Sequence, residues 1–80
     1  MSHTPHELHE EFPEHHDTIH RLKTTDPAFA DLFDAYHKVN RAIHRAETDV
    51  EPTDDLHMAD MRKQRMALKD QIAAVLRDAA

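Results

Sequence analysis

Five histidines stand among carboxylates in HELHEEFPEHHDTIH, residues 6 to 20, and this is the densest set of metal-ligating side chains in the chain. His16 and His20 are four apart, so on a helix they would share one face with Cβ atoms about 6 Å apart, within reach of one transition-metal ion. His6 and His9 are three apart, with Glu7, Glu10, Glu11 and Glu14 close by in sequence. Neutral imidazole suits zinc, nickel or copper, so the candidate ligand set is His6, His9, His16 and His20. HDTIH is not the zincin motif, which places Glu after its first histidine as general base; Asp17 is a shorter carboxylate. A dedicated site also needs a fixed set of ligands and outer partners that orient them, and this polar stretch offers no core to hold either. The favoured reading is a solvated start with no resident metal or cofactor, and transition-metal binding stands as the alternative.

The second group with chemical potential is basic. Arg62, Arg65 and Lys69 lie on part of one helical face, with Lys63 nearby, and such a patch can meet RNA or an acidic protein. The chain as a whole carries a net charge of −6 with neutral histidines, which opposes bulk attraction to nucleic acid or anionic lipid. Protonation of all nine histidines would carry it to +3, so the sign reverses below roughly pH 6 as imidazoles titrate. No aromatic residues interleave the cluster to stack bases, so nucleic-acid binding is a further alternative and not the expectation. Catalysis is not expected. The chain has no Cys and no Gly, hence no thiol nucleophile, disulfide framework or glycine-rich phosphate loop. The paired Asp54-Asp55 is accounted for by capping and the dipole at a helix start.

The elements that must position these groups are helices. Eighty residues make one domain with a thin core, which oligomerisation or regular helix packing usually has to supplement. The chain is rich in the helix formers Ala, Leu, Met, Glu, Lys and Arg, and 39% hydrophobic with 32% charged residues suits amphipathic helices better than disorder. Phe29, Leu32, Tyr36, Val39, Ile43, Ala46 and Val50 alternate in steps of three and four, the pattern of a helix seam, with Phe33 widening it. Asp26 and Pro27 mark its start as cap and first helical residue. A matching stripe runs Met58, Met61, Arg65, Leu68, Ile72, Val75, Ala79, with Met66 and Leu76 beside it. TDVEPTDD, residues 48 to 55, separates the two as a turn, with Thr53 or Asp54 available as the next cap. Upstream, Phe12, Ile19 and Leu22 suggest a short helix after Pro13 that must rest on the others or on a second subunit, being too short to stand alone.

The expected fold is therefore all-α: an antiparallel helical hairpin with a coiled-coil-like seam, preceded by a short N-terminal helix. Residues 1–12 form a flexible, histidine-rich start, and residues 13–80 one domain with helices at about 13–24, 27–49 and 54–78. In an antiparallel register pivoting near residue 52, Ile43 lies by Met61, Val39 by Arg65, Tyr36 by Leu68 and Leu32 by Ile72. Arg65 is the one charged residue on either seam, and replacing it with Leu is expected to stabilise by roughly 1–3 kcal/mol. The apolar bands exceed what one facing helix covers, which points to a homo-oligomeric interaction module. Its candidate surface comprises Phe29, Phe33, Tyr36, Arg62, Arg65, Lys69 and Leu76. No signal peptide and no membrane-length apolar run are present, so the expected place is the cytoplasm, away from membranes.

FPE at 12–14, LK at 22–23, FADLFDAYHKVNRAIHRAE at 29–47 and MRKQRMALKDQI at 61–72 resemble, in order and spacing, the YdcH-like family of short bacterial proteins, a domain family of unknown function. The last segment is the most specific, and Met61, Arg62 and Met66 depart conservatively from the family's Leu-Lys-Lys-Gln-Arg-Leu pattern. The resemblance implies a helical hairpin in a bacterial cytoplasm and brings no catalytic or binding residues with it.

Overall fold

The computed structural model describes residues 6–48 and 54–79, and every regular element among them is helical. A one-turn helix α1 (Leu8–Glu11) leads through a single 3₁₀ turn (Pro13–His15) into α2 (His16–Thr25), which is followed by α3 (Pro27–Glu47) and α4 (Asp55–Ala79). The expected turn between the long helices falls largely on residues 49–53, outside the described residues.

Local chemistry sets the boundaries. Asp26 accepts from the Ala28 and Phe29 amides at 3.0 and 3.3 Å, and Pro27 occupies the first helical position, where a missing N–H costs nothing. The Asp26 amide in turn closes α2 on the Leu22 carbonyl at 2.8 Å, so a single residue ends one helix and begins the next. Thr25 and Thr48 hydroxyls donate to the carbonyls of Arg21 and His44, satisfying acceptors that a helix end leaves open. Asp54 caps α4 through the His57 amide at 2.7 Å.

α3 and α4 make the principal contact, with late α3 residues against early α4 residues: Glu47 meets Arg62 and Asn40 meets Arg65. Their interface divides into two clusters. One holds Leu8, Ile19, Phe29, Tyr36, Ile72 and Leu76, so α1 and α2 both contribute to it. The other holds Val39, Ile43, Ala46 and Met61 and draws on α3 and α4 alone. At that second cluster the described residues form one helical layer with two sides.

The N-terminal segment departs from expectation. Residues 6–12 are packed instead of loose: Leu8 is fully buried in the first cluster, and the Tyr36 hydroxyl donates to the His6 carbonyl at 2.6 Å. The expected helix from residue 13 begins as a 3₁₀ turn and becomes α-helical at His16.

Candidate interaction surface

On one side of the α3–α4 layer lies an apolar trough of about 350 Å³. Ala35, Val39 and Ala42 of α3 face Met61, Gln64 and Leu68 of α4 across it. The helical steps of three and four between these residues place them in one row on each helix. Lys38 and His57 close its rim. Met61 and Val39 are also core residues of the second cluster, so the trough is the outer side of a stretch that is two helices wide, with no third element over it among the described residues. Its alanines, Ala35 exposed and Ala42 half-buried, make it shallow and let another backbone approach closely.

The other side is polar. His6 and Glu11 from the N-terminal segment, Tyr36 from α3, and Arg62, Arg65 and Lys69 from α4 border a cleft of about 450 Å³. Arg65 donates to Asn40 Oδ1 at 2.9 Å, Lys69 Nζ to Glu11 at 3.0 Å, and Arg62 to Glu47 at 3.1 Å. The Lys69 hydrogen bond holds the Glu11 carboxyl below its ordinary value, against the opposing effect of burial. Burial pushes the Tyr36 phenol up to about 12, with Glu11 and Glu7 adding to the shift and Arg65 opposing it.

Three members of the candidate surface are core. Phe29, Tyr36 and Leu76 are 1%, 0% and 1% exposed, because Leu8 and Ile19 cover the apolar band that the sequence leaves in excess. Phe33 is half-buried, with Lys23 Nζ 4.4 Å from its ring centre and the His37 ring 4.4 Å away. Arg62 is exposed, while Arg65 and Lys69 are partly covered. The trough residues Ala35 and Ala42 carried no mark in the sequence reading; the available signal was their seven-residue spacing on either side of Val39.

The histidine ligand set is divided. His9, His16 and His20 border one hollow of about 150 Å³ beside Lys23, with the His9 and His16 rings edge to face at 6.2 Å. His6 lies elsewhere, 3.4 Å from Glu11. Among the described residues no group of three His, Cys, Asp or Glu side chains converges closely enough to hold a metal ion. The lysine ammonium also disfavours a cation in that hollow. The histidine with the most altered surroundings is one that spacing did not single out. His37 is 7% exposed; its Nδ1 abuts the Glu7 carboxylate, and its Nε2 has no hydrogen-bond partner among the described residues. Burial lowers its pKa, Glu7 opposes the shift, and Arg41, His9 and Lys23 reinforce it.

Residues 29–76, which include most of α3 and most of α4, match the family described as protein of unknown function (DUF465). The chain belongs to the DUF465 family. It is 37% identical over 65 residues to the uncharacterised protein YdcH of Escherichia coli strain K12, an alignment covering 81% of this chain and 88% of that protein. Uncharacterised protein YdcH of Shigella flexneri matches with the same identity and coverage. No solved structure matches the chain. The matched family region contains both sides of the α3–α4 layer, with the trough and the cations of the cleft, and leaves out α1 and α2. Among the described residues no helix is long and apolar enough to cross a membrane.

Proposed function

We propose that this chain is a non-catalytic helical interaction protein of the bacterial cytoplasm, in which α3 and α4 form an antiparallel hairpin with a coiled-coil-like seam and two copies pair through the apolar trough. The observation that carries this reading is the row Ala35, Val39, Ala42 against Met61 and Leu68: an apolar surface over a two-helix stretch with no third element covering it among the described residues. Helical layers of this kind are stabilised by a second layer, and two hairpins packed trough to trough would make a four-helix bundle. Small residues on the row favour close helix approach, and Lys38 and His57 at the rim keep the charges outside it. The reading assigns the chain no catalytic step and no cofactor; its work as an adaptor is contact.

Sedimentation equilibrium at about 100 μM, with melting followed over a dilution series, tests the proposal. The expected result is a dimer or larger assembly whose melting temperature rises with concentration. Ala35 is exposed, so Ala35→Glu places a charge in the trough without disturbing the core and should give a helical monomer. A strictly monomeric wild type with concentration-independent melting overturns the proposal.

A further inference from the structure

The segment His6–Phe12 is bound to the α3–α4 layer as a short peptide ligand would be. Four residues of α-helix cannot hold their own conformation in water, so the groove imposes it. Leu8 fills an apolar pocket among Phe29, Tyr36, Ile72 and Leu76 and is fully buried there. Acidic residues flank it: Glu7, immediately before Leu8, lies against the His37 ring and 3.6 Å from Arg41, and Glu11, about one turn on, accepts from Lys69 at 3.0 Å. The chain enters this turn through His6 at φ 63°, a left-handed conformation that is unfavourable for a side chain with a Cβ. These contacts define what the groove recognises: an apolar residue flanked by acidic residues at helical spacing.

The fit also leaves part of the surface unused. The cleft of about 450 Å³ runs along the His6–Glu11 edge of the docked turn, and within it a 66%-exposed Met66 faces solvent. A helix longer than one turn, free of the strained His6 bend, would keep the leucine and carboxylate contacts. It would add an apolar contact on Met66.

We propose that this groove is a docking site for an acidic amphipathic helix of a partner protein carrying Glu-Leu-x-x-Glu, and that residues 7–11 of this chain are its resident competitor. Recognition follows the helix-in-groove mode, with one anchor residue and charges that fix the register. The resident segment acts at the high effective concentration of a tethered ligand, so a partner must outbid it through the added contacts. The site lies on the opposite side of the layer from the trough and does not depend on self-association.

The test uses full-length chain with the double change Glu7→Ala and Leu8→Ala, which vacates the groove, and a fluorescein-labelled peptide of sequence His-Glu-Leu-His-Glu-Glu-Phe as probe. Fluorescence polarisation should show saturable binding to the variant, about tenfold or more tighter than to wild type because the tethered competitor is gone. A probe with Leu replaced by Asp should bind about tenfold more weakly. Adding Lys69→Glu to the variant should weaken the original probe, and a probe with Lys in place of its last Glu should recover the loss. If the variant does not fold, wild type is titrated with millimolar probe and followed by NMR. Expected there are shifts at Tyr36, His37 and Lys69 and the release of the His6–Phe12 amides to random-coil positions. A folded variant that binds the probe no better than the Asp control overturns the proposal. So does exchange of N-terminal segments between copies without binding of free probe, and so does an unchanged wild-type spectrum.

Discussion

Replacing Arg65 with leucine distinguishes a misplaced charge from a working one. On the seam pattern alone the change adds buried hydrocarbon, and the expected gain is roughly 1–3 kcal/mol. The structure reverses the sign. Arg65 donates to Asn40 Oδ1 at 2.9 Å, and Asn40 is 1% exposed, so the bond is shielded from water. A hydrogen bond involving a charged group contributes about 1.5–3 kcal/mol. Leucine at a half-buried position recovers less than the roughly 1.5–3 kcal/mol of full burial. Arg65→Leu should therefore lose about 1–2 kcal/mol, and Asn40→Leu about 2–3 kcal/mol because it takes the amide oxygen from a partly buried guanidinium. The double change removes both polar groups together and should cost less than the sum of the singles, with a coupling of about 1.5–3 kcal/mol. Urea unfolding of the four proteins at one fixed concentration measures this cycle. Stabilisation by Arg65→Leu alone, or a coupling below about 0.5 kcal/mol, refutes the reasoning.

Acid should weaken the fold in two stages. Burial lowers the folded-state pKa of His37 from 6.5, so native His37 prefers to be neutral and its stabilising effect is present above 6.5 and lost as pH falls toward the lowered value. Glu11, held below 4.5 by Lys69, adds a second loss beginning as pH drops under 4.5. Unfolding free energies from urea titrations should fall as pH drops below 6.5, with a slope of at most about 1.4 kcal/mol per pH unit from this one proton, and His37→Gln should flatten that stage; an unchanged slope counts against the buried-neutral assignment. Asp26→Ala removes the cap that joins α2 to α3 and should cost about 1 kcal/mol in thermal or urea unfolding, whereas Asp26→Asn should cost less than half of that.

The helical class and the start of α3 were legible because their causes are local. Composition and steps of three and four report helix and its apolar face, and Asp26-Pro27 carries its capping chemistry in two adjacent residues. Leu8 was not legible: it is a lone apolar residue in a polar stretch, and periodicity needs repetition. What orders it is a pocket, together with the Tyr36 hydroxyl bonded to the His6 carbonyl thirty residues away, a tertiary cause with no local trace. The same gap misassigned Phe29, Tyr36 and Leu76 to the surface. The pattern shows that a helix face is apolar and not which element covers it, and Leu8 with Ile19 cover this one. His37 adjoins a seam residue without belonging to the seam, so its burial against Glu7 had no counterpart in spacing. The alanines of the trough are common helix formers first, and only the packed α3–α4 layer reveals them as a surface.

The central claim is that two copies meet at the trough, and a spin label placed there reads it most directly. The chain has no cysteine, so Lys38→Cys, at the exposed rim of the trough, gives a unique attachment point for a nitroxide. Nitroxide-bearing protein is mixed with an equal amount of isotope-labelled wild type at about 100 μM, and broadening is recorded on the isotope-labelled copy. The account predicts losses of signal centred on Val39, Ala42, Met61 and Leu68, with the polar cleft around Arg65 unaffected. Broadening absent throughout, or centred on the cleft, would contradict it.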